Sequence, residues 1–98
     1  MTPRRIFVFG SNLGGIHGKG SAKEAAAKHG AERGVGVGPT GNAYAIPTKA
    51  TWRGPVLPLE EINDHVDEFL VYAANRRGLT FDVVRVGCGL AEIGRAHV

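Results

Sequence analysis

The sequence predicts an α/β layered domain with a largely parallel sheet. Short apolar runs rich in β-branched and aromatic residues occur at Arg5–Phe9, Ala43–Lys49 and Phe81–Gly87. Stretches of helical periodicity separate them, from about Ala22 to His29 and from Leu59 to Ala73. Glycine-rich segments punctuate the joins. The resulting order, β-α-β-loop-α-β, is that of strands joined by crossover helices. With 98 residues, 43% hydrophobic and 21% charged, the chain has the size and composition of one small globular domain. It shows no internal repeat.

The first element, RIFVF, reads as a buried strand bounded by Gly10. A glycine loop follows, and then Ser21-Ala22-Lys23-Glu24 matches the S-x-x-E capping box of a helix start. Gly30 stands where a left-handed stop belongs. Ala22, Ala25 and Ala26 fall on one face, and residues that small let a helix lie close on a sheet. Gly34–Gly41 (GVGVGPTG) reads as a turn-rich connection. Ala43–Lys49 (AYAIPTK) reads as a strand with Pro47 near its end. Ala50–Pro58 is a loop that holds the only tryptophan, Trp52.

Leu59, Ile62, Val66, Phe69, Leu70 and Ala73 recur at helical spacing, with Glu60, Glu61, Asp64 and Asp67 turned outward. Acids near the N-terminus suit the helix dipole, and Arg76-Arg77-Gly78 supplies cations and a glycine to close it. FDVVRVG is the next strand.

Net charge is +3 with a pI near 9.4, which fits an anionic ligand and is too weak to argue for nucleic acid alone. A single cysteine, Cys88, excludes an internal disulfide framework and fits a reducing, cytoplasmic setting. No apolar run approaches the ~20 residues of a membrane span. No His/Cys/Asp set has metal-ligand spacing, so no metal is expected.

The functional signal is the stretch FGSNLGGIHGKGSAKEAAAKHG, Phe9–Gly30. Strand end, glycine backbone and helix N-terminus together make an anion site: N–H groups point at the ligand and the helix dipole adds partial positive charge. The Walker pattern fails here, because Gly18-Lys19 is followed by Gly20 and position 13 is leucine. A G-x-G-x-x-G occurs only at Gly36, Gly38 and Gly41, where it contains Pro39 and opens no helix. The alternative to phosphate binding is a plain flexible connection.

Three motifs in fixed order, FVFGSNLGGIHGKGSAKEAAAKHG, YAIPTK and VGCGLA, resemble uncharacterised bacterial and phage proteins related to the macrodomain superfamily. The resemblance covers nearly all of Ile6–Ala91. It implies a three-layer α/β/α sandwich with a mixed, largely parallel sheet that binds ADP-ribose or a related nucleotide. It also implies an ADP-ribosylated macromolecule as a further partner, with no separate cofactor. The first glycine loop, with Asn12, Gly14, Gly15, Gly18, Lys19, Gly20 and Ser21, is implied to contact ribose and phosphate. The second loop, Gly87, Cys88, Gly89 and Leu90, is implied to close over the diphosphate.

The resemblance extends to the macrodomain hydrolase that removes terminal ADP-ribose through a lysine adduct. Ile46-Pro47-Thr48-Lys49 matches its I-T-K strand end, which would make Lys49 the nucleophile; an amine forms a Schiff base with an opened ribose when deprotonated. The position of the matching acid is Ala91, a departure from that enzyme's pattern.

Individual residues carry competing readings. Asn12 either bonds a ribose hydroxyl or serves turn chemistry. His17 either meets phosphate or is a solvated loop residue, and Lys23, Lys28 and His29 read as a solvated helix face. Cys88 reads as small-residue packing between two glycines. Trp52 either stacks on a base or packs. Three functions stand: a nucleotide-binding module, an ADP-ribosyl hydrolase using Lys49, or an interaction protein that kept the fold and lost the ligand.

The last residues, EIGRAHV, resemble the translation of a common sequencing adapter, GAG ATC GGA AGA GCA CAC GTC, whose next codon in frame is a stop. Residues 1–91 are therefore expected to be an incomplete domain of a C-terminally truncated product and 92–98 a non-native tail. The native product is expected to continue past Ala91 with a helix and a further strand.

Overall fold

The computed structural model describes residues 4–83. Its elements in chain order are β1 (Arg4–Asn12), α1 (Gly20–Lys28), β2 (Gly38–Thr40), β3 (Ala43–Lys49), α2 (Leu59–Ala74) and β4 (Leu79–Val83). The sheet order is β2-β3-β1-β4. β1 runs parallel to both β3 and β4, and β2 is antiparallel to β3. The described residues are thus α/β, with a mixed sheet of four strands and two helices.

Alternation along the two central strands explains the layering. Ile6 and Val8 on β1 share a face with Tyr44 and Ile46 on β3, and there Ile62, Val66 and Phe69 of α2 complete a core with Leu57. Phe7 and Phe9 share the opposite face with Ala43 and Ala45, and there Ala22 and Ala25 of α1 pack with Ala31. Each helix therefore covers its own face of the sheet.

Several expectations change in detail. β1 runs three residues past Phe9, because Gly10 and Ser11 keep their pairing with Ile46 and Pro47. The segment read as pure turn contains β2, which pairs only with Ala43–Ala45. That short ladder leaves room for Pro47 two residues on, whose missing N–H breaks no β2 bond.

The capping box does not form. α1 begins two residues earlier, with Lys19 as N-cap and no side-chain cap bond. Glu24 lies instead in the middle of the helix, 3.9 Å from His29. The stop is as expected: Gly30 has φ +75°, and the N–H groups of His29 and Ala31 both donate to the Ala25 carbonyl. Ala26 is exposed and leaves Ala22 and Ala25 as the buried face. His29 is half-buried rather than solvated, stacked on Phe7 with ring centroids 4.2 Å apart.

On α2 the apolar stripe is narrower than its spacing suggests, since Leu59 is 61% exposed and Leu70 38%. The helix ends at Ala74, so Arg76 and Arg77 stand beyond it; Arg76 lies over the Tyr72 ring at 4.0 Å. β4 begins at Leu79, two residues before the predicted start. The predicted strand end at 84–87 lies outside the described residues.

Candidate functional site

The carboxyl ends of β1 and β3 lie side by side, and Asn12 is the register partner of Lys49. A register shift between Ser11 and Asn12 brings this about. Lys49 ends β3 just past the irregularity at Thr48, and α1 packs on the sheet face of Ala43 and Ala45. The loop from Asn12 leads to the N-terminus of α1 on that face. Asn12, Lys49 and the start of α1 are thus gathered at one edge, where parallel α/β sheets take ligands.

The glycine loop has two unlike halves. The first is fixed by backbone crossings. Gly15 donates to the Asn12 carbonyl at 2.9 Å and accepts from the Gly34 N–H at 2.9 Å. A Cβ at Gly15 would stand 2.3 Å from the Gly34 carbonyl carbon, and one at Gly36 would stand 2.0 Å from the Asn12 carbonyl oxygen. Only glycine permits that approach. The Ser11 hydroxyl donates to the Gly36 carbonyl and ties the same two segments.

Asn12 closes this half. Its Nδ2 donates to the Ile16 carbonyl at 2.9 Å, and its Oδ1 accepts from the Ile16 N–H at 3.2 Å. The buried amide thus serves turn chemistry within the loop. Gly14 sits close above it; a Cβ there would be 3.3 Å from the Asn12 Oδ1. His17 is half-buried rather than solvated. Its ring meets Phe9 edge-on at 5.3 Å, and its Nε2 lies 3.1 Å from the Glu32 carbonyl.

The second half is open. Gly18, Lys19 and Gly20 are exposed, and a Cβ at Gly18 or Gly20 would meet nothing within 4 Å among the described residues. Gly20 has φ +63°, which by itself favours glycine. Packing gives no reason for glycine at Gly18. Ser21 is half-buried in the first turn and makes no capping bond.

The two helix N-termini differ in the same sense. α2 carries Glu60 and Glu61 in its first turn, so its own acids complement the dipole. α1 has no acid in its first turn and no side-chain cap. Among the described residues, no side chain answers its leading N–H groups or its partial positive charge. Charge is segregated accordingly: five of the nine acids (Glu60, Glu61, Asp64, Asp67 and Glu68) lie on α2, and none occurs from Arg33 to Leu59.

Lys49 is half-buried, and its backbone carbonyl accepts from the Leu13 N–H at 2.9 Å. Its side chain makes no hydrogen bond or ion pair among the described residues. The expected second loop, Gly87, Cys88, Gly89 and Leu90, lies outside the described residues, as do Ala91, Glu92 and the tail. Among the described residues no group of three or more His, Cys, Asp or Glu could hold a metal ion, and no helix is long and apolar enough to cross a membrane.

Sequence reasoning missed the form of the segment after Lys49. Leu57 donates to the Thr48 carbonyl at 2.8 Å, Ala50 donates to the Pro55 carbonyl at 2.9 Å, and Lys49 bridges Val56. Residues 48–57 are a small hairpin that carries Trp52 at its turn. The Gly-Pro pair at 54–55 was the available signal. Comparison of the chain with family models, with curated proteins and with solved structures finds no match in any of the three.

Proposed function

We propose that the protein binds ADP-ribose or a related nucleotide at the carboxyl edge of β1 and β3, with its phosphate on the N-terminus of α1. One observation carries this reading. α1 starts without an acid or a side-chain cap, beside Gly18, whose glycine no packing among the described residues explains, at the sheet edge that holds Lys49. An anion there would receive the free N–H groups, the dipole and two neighbouring cations, Lys19 and Lys49. The ribose and base are named from the motif resemblance. So are the complete three-layer macrodomain-like sandwich and an ADP-ribosylated macromolecule as partner, whereas a cytoplasmic setting is inferred from the single cysteine.

Binding is favoured over hydrolysis by the same resemblance, since the position of the matching acid is Ala91. Lys49 in the binding reading is an anion contact.

Calorimetric titration with ADP-ribose tests the proposal. The wild-type chain should bind. Gly18→Val should keep its stability within about 0.5 kcal/mol, as an open surface site does, and lose about tenfold or more in affinity because a side chain fills the cradle. Absence of heat with the wild-type chain sinks the reading, and unchanged affinity in Gly18→Val removes the cradle.

A further inference from the structure

The hairpin after β3 holds an aromatic ring out of the core in a fixed frame. Its arms are joined by the Thr48–Leu57 and Ala50–Pro55 bonds. Its turn is tied a second time by side chain: the Thr51 hydroxyl donates to the Gly54 carbonyl at 2.6 Å and accepts from the Arg53 N–H at 3.3 Å. The Gly54 N–H donates to the Thr51 carbonyl at 2.9 Å. Such a turn has already lost much of the freedom that ligand binding would otherwise remove.

Trp52 stands at this turn, 45% exposed. Tryptophan is the largest apolar side chain, and the described core closes without it. The Arg53 guanidinium lies 4.5 Å over the ring and occupies one face of the indole. The pair is a planar π surface with a cation beside it. No acid occurs in the hairpin or its flanks, and Lys49 begins the same turn from the edge where the anion site lies.

We propose that Trp52 is the stacking platform for the base of the bound nucleotide, with Arg53 fixing the indole and adding positive charge. This rests on the nucleotide reading above and divides the ligand between two places. The start of α1 takes the phosphate, and the hairpin takes the base. A base offers a flat π face that an indole recognises whatever its edge pattern, so the class selected is a nucleobase-bearing phosphate rather than a sugar phosphate.

Trp52 is the only tryptophan, so the protein's indole fluorescence reports on this residue alone. The experiment titrates AMP, ADP-ribose and ribose 5-phosphate, following indole emission and, separately, thermal shift. AMP and ADP-ribose should quench the emission, and ribose 5-phosphate should raise the melting temperature without quenching. Trp52→Ala should weaken AMP and ADP-ribose by roughly five- to a hundredfold and leave ribose 5-phosphate unchanged, and Trp52→Phe should restore most of the loss. ADP-ribose binding with no quench and with full affinity in Trp52→Ala overturns the platform and leaves the phosphate site standing. Failure of all three ligands to bind the wild-type chain overturns both.

Discussion

The two faces of the sheet are built to different scales. On the α2 face, Ile6, Val8, Tyr44 and Ile46 meet Ile62, Val66 and Phe69. Aromatic edges add to it, with Tyr44 and Phe81 at 5.0 and 5.4 Å from Phe69. On the α1 face, Phe7 and Phe9 are the only large members among Ala22, Ala25, Ala31, Ala43 and Ala45. The first face stabilises through side-chain volume. The second brings backbone close to backbone, as where a Cβ at Gly41 would stand 2.3 Å from the Gly30 carbonyl oxygen. The open half of the glycine loop, where the anion site is proposed, lies on this side. Stability and ligand binding are therefore expected to divide by face.

The largest blow to the comparison comes from the thick face. Phe69→Ala should cost about 3–5 kcal/mol, because it removes a buried ring and leaves a cavity between Tyr44 and Phe81. For a domain this small, that is a large part of a total stability of about 5–15 kcal/mol. Denaturant unfolding measures it. ADP-ribose affinity, read where the variant is still folded, should stay near wild type. A parallel fall in intrinsic affinity would show that the faces are not separable.

A smaller effect should come from the thin face and should touch both properties. Ala25 is 0% exposed between α1 and the sheet. Ala25→Leu should cost about 1–3 kcal/mol by overpacking. The helix must lift to admit the new side chain, so its N-terminus shifts and ADP-ribose affinity falls with stability. Destabilisation with full affinity would mean that the start of α1 is placed by the loop and not by the alanine stripe.

The same contrast explains what could be read from the sequence. β3 was legible to the residue, because AYAIPTK alternates between two buried faces and ends at a polar lysine. The α2 face was legible wherever volume spoke, at Ile62, Val66 and Phe69. Leu59 was misread because the periodicity extends one turn beyond the sheet. The thin face was legible only as a set of glycines and alanines. Nothing in GVGVGPTG distinguishes Gly36, which faces the Asn12 carbonyl, from Gly38, beside which a Cβ would meet nothing within 4 Å among the described residues. Backbone crossings join segments far apart in the chain, and neither partner carries a side chain to mark them. β2 was missed for the same reason, since Gly38-Pro39-Thr40 has no apolar alternation. The capping box failed because α1 starts at Gly20, which leaves Ser21 and Glu24 two positions too deep for their roles.

The smallest effect is an alkaline one, confined to the thick face. Tyr44 is buried among Phe69 and Tyr72, and its phenol is held above the ordinary value of 10 by burial first, then by the charge of Glu68 and by Tyr72. The folded state therefore keeps this proton at a pH where the unfolded chain has released it. Above pH 10 the unfolded state binds fewer protons than the folded one, so stability must fall as pH rises through the raised value. Below pH 10 both states are protonated and the contribution is complete. Tyr44→Phe removes the group, and its unfolding free energy should lose less than that of wild type between pH 9 and pH 11. Affinity for ADP-ribose at neutral pH should be unchanged, because Tyr44 lies across the sheet from α1. Equal alkaline losses in the two proteins would place the titrating group elsewhere, and a changed affinity would mean that the thick face reaches the site through the sheet.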